Sequence, residues 1–349
     1  MLEPTDRRHL LGALRPPDGY TLDCAVGTTF SLDLLALLTV PLAFTLFDWQ
    51  DDAGRPAADP LAILESLRRH ADRIHIFCQA GRIAIPQSSQ LLYGYLEDSV
   101  FQVTAPNEGG VFHPKVWALR FTAPGASVQY RLLCLSRNLT FDRSWDTALV
   151  LDGELVERQK GFGANNALGD FIAALPELSL QPVSERARAD VDRVQDEVRR
   201  VQFKLPELSE GKRFDKVQFW PLGLKSYKRW PFGDRIDRLL VISPFLSKGC
   251  LDRLTEQGSD HVLVSRLESL QALSKKDLAD FKRVYFLNPA AELEEAEAED
   301  SGPDTDSQTA FNGLHAKLYV ADHGWKAHVW TGSANAAEAA FKANVEFLV

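Results

Sequence analysis

The stretch "FNGLHAKLYVADHGWKAHVWTGSANAAEAAF" (Phe311–Phe341) decides how the rest of the chain is read. Its apolar and polar residues alternate from Leu314 to Val320, which predicts a strand. Side chains two apart on a strand share a face, so His315 and Lys317 point one way while Leu314, Ala316 and Leu318 pack behind. Ser333 and Asn335 are two apart as well and therefore co-facial. "AAEAAFKA" follows as a strong helix former, so Asn335 is expected at a helix start, where side-chain capping and free N–H groups favour an anion. An imidazole, an ammonium, an amide and a hydroxyl converging on one point suit a phosphate.

The first half of the chain carries the same pieces in the same order. "YTLDCAVGTTFSLDLLALL" from Tyr20 answers to "IDRLLVISPFLSKGCLDRL" from Ile236, and "RIHIFCQ" from Arg73 to "DHVLVSRL" from Asp260. "VFHPKVWALRF" from Val111 answers to "GLHAKLYVAD" from Gly313, and "RLLCLSRNLTF" from Arg131 to "HVWTGSANAAE" from His328. His113 and Lys115 are thus co-facial, as are Ser136 and Asn138. A lone His-x-Lys is usually a surface pair, but two copies with matching Ser-x-Asn followers are not an accident of composition. Short strands alternating with helices predict an α/β fold of two similar halves, each a mixed sheet flanked by helices, packed as an intrachain pseudo-dimer. The expected boundaries are 1–182 for the first half, 183–210 for a charged connecting helix with valines at 191, 194, 198 and 201, and 211–349 for the second half. The break after Val349, inside an apolar strand pattern, suggests a piece of a longer protein.

His315-Ala-Lys317, Asp322 and Gly332-Ser333-Ala-Asn335 resemble the HKD motif of the phospholipase D superfamily, with His113-Pro-Lys115 and Ser136-Arg-Asn138 as a first copy. The resemblance implies a nuclease or phosphodiesterase with catalytic His113, Lys115, Asn138, His315, Lys317 and Asn335. One histidine attacks phosphorus and forms a phosphohistidine; the other protonates the leaving oxygen and then activates water. Superfamily precedent favours His113 as the nucleophile. Glu346, in "NVEF", matches the place of a carboxylate that supports a motif histidine, and Asp146 is its nearest equivalent in the first half. Ser136, Ser333 and Asp322 complete the supporting set. Two positions depart from the pattern: Arg120 stands where the first copy would carry the Asp, and Leu135 where it would carry the Gly. Asp322 lies an odd number of residues from Lys317, so in a straight strand it faces away from the histidine. Pro114 removes a hydrogen-bond donor, which predicts an edge or bulge there.

No cofactor or metal is expected, because the two lysines neutralise phosphate and repel a divalent cation. The net charge of −9 confines any nucleic-acid contact to a local patch. "GKRFDKVQFWPLGLKSYKRWPFG" (Gly211–Gly233) interleaves cations with aromatic rings and nominates Lys225, Lys228, Arg229 and Trp230 as a DNA-binding surface; the alternative is a twisted hairpin with its aromatics in the core. The combination "SRNLTFDRSWD" with "GSANAAEAAFKANVEF" looks like bacterial phospholipase D-like proteins of phage-defence and restriction systems, which implies DNA rather than RNA as partner and a helicase or other defence protein beside it. A lipid-directed enzyme and a non-catalytic phosphate-binding module are the competing readings. The N-terminus lacks the apolar run of a signal peptide, and Leu34–Phe47 is too short to span a bilayer, so a cytoplasmic protein is expected. Four dispersed cysteines read as buried thiols. Oligomeric state stays open, a homodimer included. The acidic stretch 290–310 is expected to form a surface loop shielding the site.

Overall fold

A computed structural model describes residues 10–44, 60–84, 86, 91–142, 144–207, 213–225, 227, 229–233, 235–288 and 313–349. The acidic stretch 290–310 and Lys228 lie outside them. The first half is built on β1 (Thr21–Thr29), β2 (Ile74–Gln79), β3 (Val100–Val103), β4 (Val116–Thr122), β5 (Gln129–Leu135), β6 (Ala148–Leu155) and β7 (Val201–Phe203). These form one sheet in the order β7-β6-β5-β4-β1-β2-β3, with β1, β2 and β3 parallel and β4 antiparallel to β1. A short strand β8 (Trp220–Leu222) leads into the second half, where β9 (Arg238–Ile242), β10 (His261–Ser265), β11 (Phe281–Phe286), β12 (Leu318–His323) and β13 (Lys326–Thr331) form a five-stranded sheet. Its order is β11-β10-β9-β12-β13, again with three parallel strands and an antiparallel return. The second sheet therefore repeats β3-β2-β1-β4-β5 strand for strand. β14 (Glu346–Leu348) pairs with β8 and bridges Gly332 at the end of β13.

Both faces of the first sheet are covered, as its nearly continuous apolar strands require. On one face, α1 (Leu34–Ala43) and α2 (Pro60–His70) close a cluster around Leu32, Leu37, Ile76, Trp117 and Leu133. The Asp33 carboxylate starts α1 by accepting from the Leu35 and Ala36 amides. On the other face, α3 (Asn166–Ala174) and α4 (Glu185–Glu197) pack over Val26, Phe77, Ala118 and Leu132. The valine stripe at 191, 194, 198 and 201 is buried in this cluster, so α4 is integral to the first half's body. Polar bonds fix it there: His75 Nε2 meets Asp190 Oδ2 at 2.8 Å, and Glu197 accepts from Tyr130 Oη at 2.7 Å and Arg120 Nε at 2.8 Å. Val345, Phe347 and Val349 join the same cluster. The last strand of the second half is thus anchored in the core of the first.

His70, at the end of α2, is 4 % exposed, and neither ring nitrogen has a partner among the described residues. Burial, with help from Arg73 and Arg69, pulls its pKa down to about 4. The folded value lies below the unfolded one, so this contribution to stability is present above about pH 6.5 and is lost as pH falls toward 4. His70→Leu should accordingly lose less Tm than the parent between pH 7 and pH 4.5. Parallel Tm–pH curves would show that His70 has no part in acid sensitivity.

Candidate active site

His113 and Lys115 do not lie within a regular strand. They form an extended lead-in to β4, and His315 and Lys317 form the same lead-in to β12. Pro114 is accommodated because no sheet partner needs its missing N–H. The alternation still holds, and each lysine reaches back along its lead-in. Lys115 Nζ donates to the His113 carbonyl at 2.7 Å and Lys317 Nζ to the His315 carbonyl at 2.6 Å. Both lysines are almost wholly buried, at 1 % and 0 % exposure. Charges so deep are tolerated only beside countercharge or a ligand.

Each histidine takes its partners from the opposite half. His113 Nδ1 donates to Glu346 Oε2 at 2.9 Å, and the His113 amide donates to the Val345 carbonyl at 2.8 Å. His315 Nδ1 donates to Asp146 Oδ1 at 2.8 Å, and its amide to the Trp145 carbonyl at 2.9 Å. The serines close the arrangement within their own halves: Ser333 Oγ donates to Glu346 Oε2 at 2.5 Å and Ser136 Oγ to Asp146 Oδ1 at 2.6 Å. Ionised carboxylates only accept, so Nδ1 carries the proton on both rings and Nε2 is the reactive nitrogen. Asn138 and Asn335 complete the pair symmetry. The Oδ1 of each is buried and has no partner among the described residues.

The electrostatics of the two halves interpenetrate. Burial brings both imidazoles down to about 4, opposed by Glu346 on His113 and by Asp146 on His315; each ring also feels the lysine of the other half. Burial lowers Lys115 to about 7 against the pull of Glu346 and Asp146, and burial with the Lys115 charge takes Lys317 well below its ordinary value. Burial pushes Glu346 up, but His113, Lys115 and Ser333 outweigh it; His315, Ser136 and Lys317 do the same for Asp146, so both carboxyls titrate below their usual range. A tetrahedral dianion in this pocket would favour every protonated form around it. Sulfate binding at pH 7 should therefore take up roughly one proton and tighten as pH falls from 9 to 6. Calorimetry in buffers of different ionisation heat reads this directly, and zero proton uptake would refute it.

The supporting and binding residues expected from sequence fall in several places. Asp322 sits at the far end of β12, where its carboxylate accepts from Arg238 Nε on β9 at 2.7 Å. The equivalent strands of the first half carry the same pair with the charges exchanged: Arg120 on β4 donates to Asp23 on β1 at 2.9 Å. The missing Asp of the first copy is thus answered by a reversed ion pair remote from the histidines. Gly332 has φ +147°, and a Cβ there would collide with the Phe347 carbonyl oxygen. Leu135 has no such constraint and packs in the first-half core. The expected helix cap at Asn335 is not formed. The following helix, α5 (Glu338–Lys342), starts three residues later with Ala337 at its N-cap, and among the described residues no helix begins within twenty residues of Asn138.

Trp230 is built into the second core rather than presented as an open stacking face: its ring meets Phe232 at 5.0 Å, Phe341 at 4.8 Å and the Arg253 guanidinium at 3.9 Å. Lys225 and Arg229 are exposed. Residues 220–222 pair with β14 instead of closing a hairpin.

Three further residues touch the site. Phe30 lies edge-on to the His113 ring, with centroids 5.0 Å apart. Gln79 Oε1 accepts from the Phe112 amide at 2.6 Å, and Arg266 Nε donates to the Leu314 carbonyl at 2.6 Å. Gln79 and Arg266 occupy matching places at the ends of β2 and β10 and steady the backbone one residue before each histidine. Their common position in the repeat was the available signal, but their side chains differ.

No protein-family model and no curated protein matches the sequence. Among solved structures the chain is similar to the yeast tyrosyl-DNA phosphodiesterase, with a TM-score of 0.56 at 11 % identity over 97 % of this chain and 84 % of that one. A mutant form of the same yeast enzyme aligns with a TM-score of 0.56 at 10 % identity, over 97 % of this chain and 85 % of that one. The chain shares the fold of the yeast tyrosyl-DNA phosphodiesterase, in keeping with the resemblance read from the sequence. Each half contributes a sheet of matching strand order, and the His–carboxylate bonds run between the halves. Among the described residues no cluster of His, Cys, Asp and Glu is arranged to hold a metal ion, and no helix is long and apolar enough to cross a membrane. All four cysteines are buried and free.

Proposed function

We propose that this chain is a phosphodiesterase that cleaves DNA through a phosphohistidine intermediate. The observation that carries the reading is the crossed pair of His–carboxylate bonds above two buried lysines. With Nδ1–H held by a carboxylate, a neutral imidazole presents the Nε2 lone pair to phosphorus. Attack forms a P–N bond and breaks the P–O bond to the leaving group. The second imidazole, protonated at Nε2, gives its proton to that departing oxygen. It then takes a proton from water, whose oxygen attacks phosphorus and breaks the P–N bond, restoring both rings. Lys115, Lys317, Asn138 and Asn335 hold the non-bridging oxygens and offset the charge that builds on them. The lysines supply cationic charge in place of a divalent ion, so turnover is expected in EDTA.

The likeness to a tyrosyl-DNA phosphodiesterase supports DNA as the substrate class. Labelled single- and double-stranded DNA incubated with the protein in EDTA should be cleaved, and His113→Ala or His315→Ala should abolish the cleavage. Equal cleavage by those variants would defeat the proposal. DNA binding without turnover, and without acid-labile phosphate on the protein, would identify a phosphate-gripping module instead. The sequence resemblance supports a place in phage defence, where efficiency of plating on cells expressing parent or His315→Ala protein is the corresponding test.

A further inference from the structure

We infer that Phe245 and Arg266 form a nucleoside-binding platform on the His315 side of the site, taking the base next to the scissile phosphate. This rests on the phosphodiesterase reading and names the group that reading leaves open. Phe245 follows β9 and is 44 % exposed. The loop that carries it is firmly held: Ser243 Oγ donates to the Phe245 carbonyl at 2.8 Å and accepts from the Ala336 amide, next to Asn335, at 2.9 Å. Ser269 Oγ adds a bond to the Pro244 carbonyl at 2.6 Å. These bonds hold the exposed ring in a fixed place beside the Asn335 segment.

The Arg266 guanidinium lies 5.3 Å from the centroid of that ring, and the same side chain bonds the carbonyl of Leu314, one residue before His315. Its charge also reaches Lys317. The platform is therefore tied to the reacting centre by a single side chain. A flat base on the phenyl ring and an anionic oxygen at the guanidinium are the groups this pair recognises, for any base.

The first half arranges its aromatic ring and cations differently. Gln79, uncharged, stands where Arg266 does. Phe30 is packed against the His113 ring, with Arg82 5.1 Å and Lys115 Nζ 5.8 Å from its centroid. Phe30 is thus engaged by the His113 ring and two cations, whereas Phe245 meets one guanidinium and is 44 % exposed. The substrate that fits is unsymmetrical, with a nucleoside on the His315 flank.

Two chromogenic diesters with the same leaving group test this: thymidine 5′-(p-nitrophenyl phosphate) and methyl p-nitrophenyl phosphate. The parent should show a KM for the thymidine ester about tenfold below that for the methyl ester. In Phe245→Ala that ratio should collapse to about one, and in Phe245→Trp it should be kept. Equal KM values in the parent, or an undiminished ratio in Phe245→Ala, would overturn the platform and leave the phosphodiesterase reading standing. Calorimetric binding of thymidine 3′,5′-bisphosphate against sulfate gives a second readout that needs no turnover. If neither ester is hydrolysed, the phosphodiesterase reading fails. The platform is then judged alone by whether Phe245→Ala removes the preference for the bisphosphate.

Discussion

Replacing either His113 or His315 by alanine should lower kcat on a DNA phosphodiester by about four orders of magnitude or more. The loss is this large because each ring acts in both steps, and neither carboxylates nor lysines in the pocket can substitute for a neutral Nε2. The two variants should nevertheless differ on an activated ester. With p-nitrophenolate leaving, protonation of the departing oxygen matters little, so the protein lacking the acid histidine should still complete the first step. It then has no base to activate water, and a phosphohistidine should accumulate with one equivalent of released p-nitrophenol. The protein lacking the nucleophile should give neither burst nor label. The family resemblance favours His113 as the nucleophile, so the trapped intermediate is expected in His315→Ala. Steady turnover in both variants, with unchanged thermal unfolding, would discard the two-histidine mechanism.

The carboxylates should report the crossing between halves. Glu346→Gln and Asp146→Asn keep the side-chain volume but lose the charge that orients and supports each ring. A fall in kcat of about 10²- to 10⁴-fold is expected for either. The location of the effect is more informative than its size. Glu346→Gln should shift the imidazole nitrogen resonances of His113 and leave those of His315 nearly in place, whereas Asp146→Asn should do the reverse. A Glu346→Gln variant that perturbs His315 and spares His113 would mean that each half serves its own ring.

Local periodicity made much of this legible. Two His-x-Lys and two Ser-x-Asn steps, in matching context, pointed to duplicated sheets, and the two His-x-Lys pairs lie close enough for each ring to feel the lysine of the other half. The exchange of carboxylates was not legible, because it joins residues 233 and 169 positions apart and depends on how the halves dock. The family resemblance nominated Asp146 and Glu346 but could not say which ring each would meet. The reversed ion pair of Arg120 and Asp23 escaped for the same reason: a cross-strand pair has no signature in one strand alone. Segment 211–233 shows the opposite failure. Its mixture of cations and rings reads as a binding surface, yet Trp230 serves the core, since composition does not reveal which face of a ring is covered. The helix start expected at Asn335 failed because alanine-rich sequence sets helix propensity over a window and not its first residue.

The contact between residues 113 and 345–346 also bears on when the protein becomes competent. During synthesis the first half lacks Val345, Phe347 and Val349 from its core until the end of the chain is made, and its histidine lacks the carboxylate that fixes its tautomer. Not until some 230 residues later, when Glu346 is laid in beside it, is the pair complete. A chain that ends before Glu346 therefore carries His113 without the carboxylate that holds its Nδ1–H.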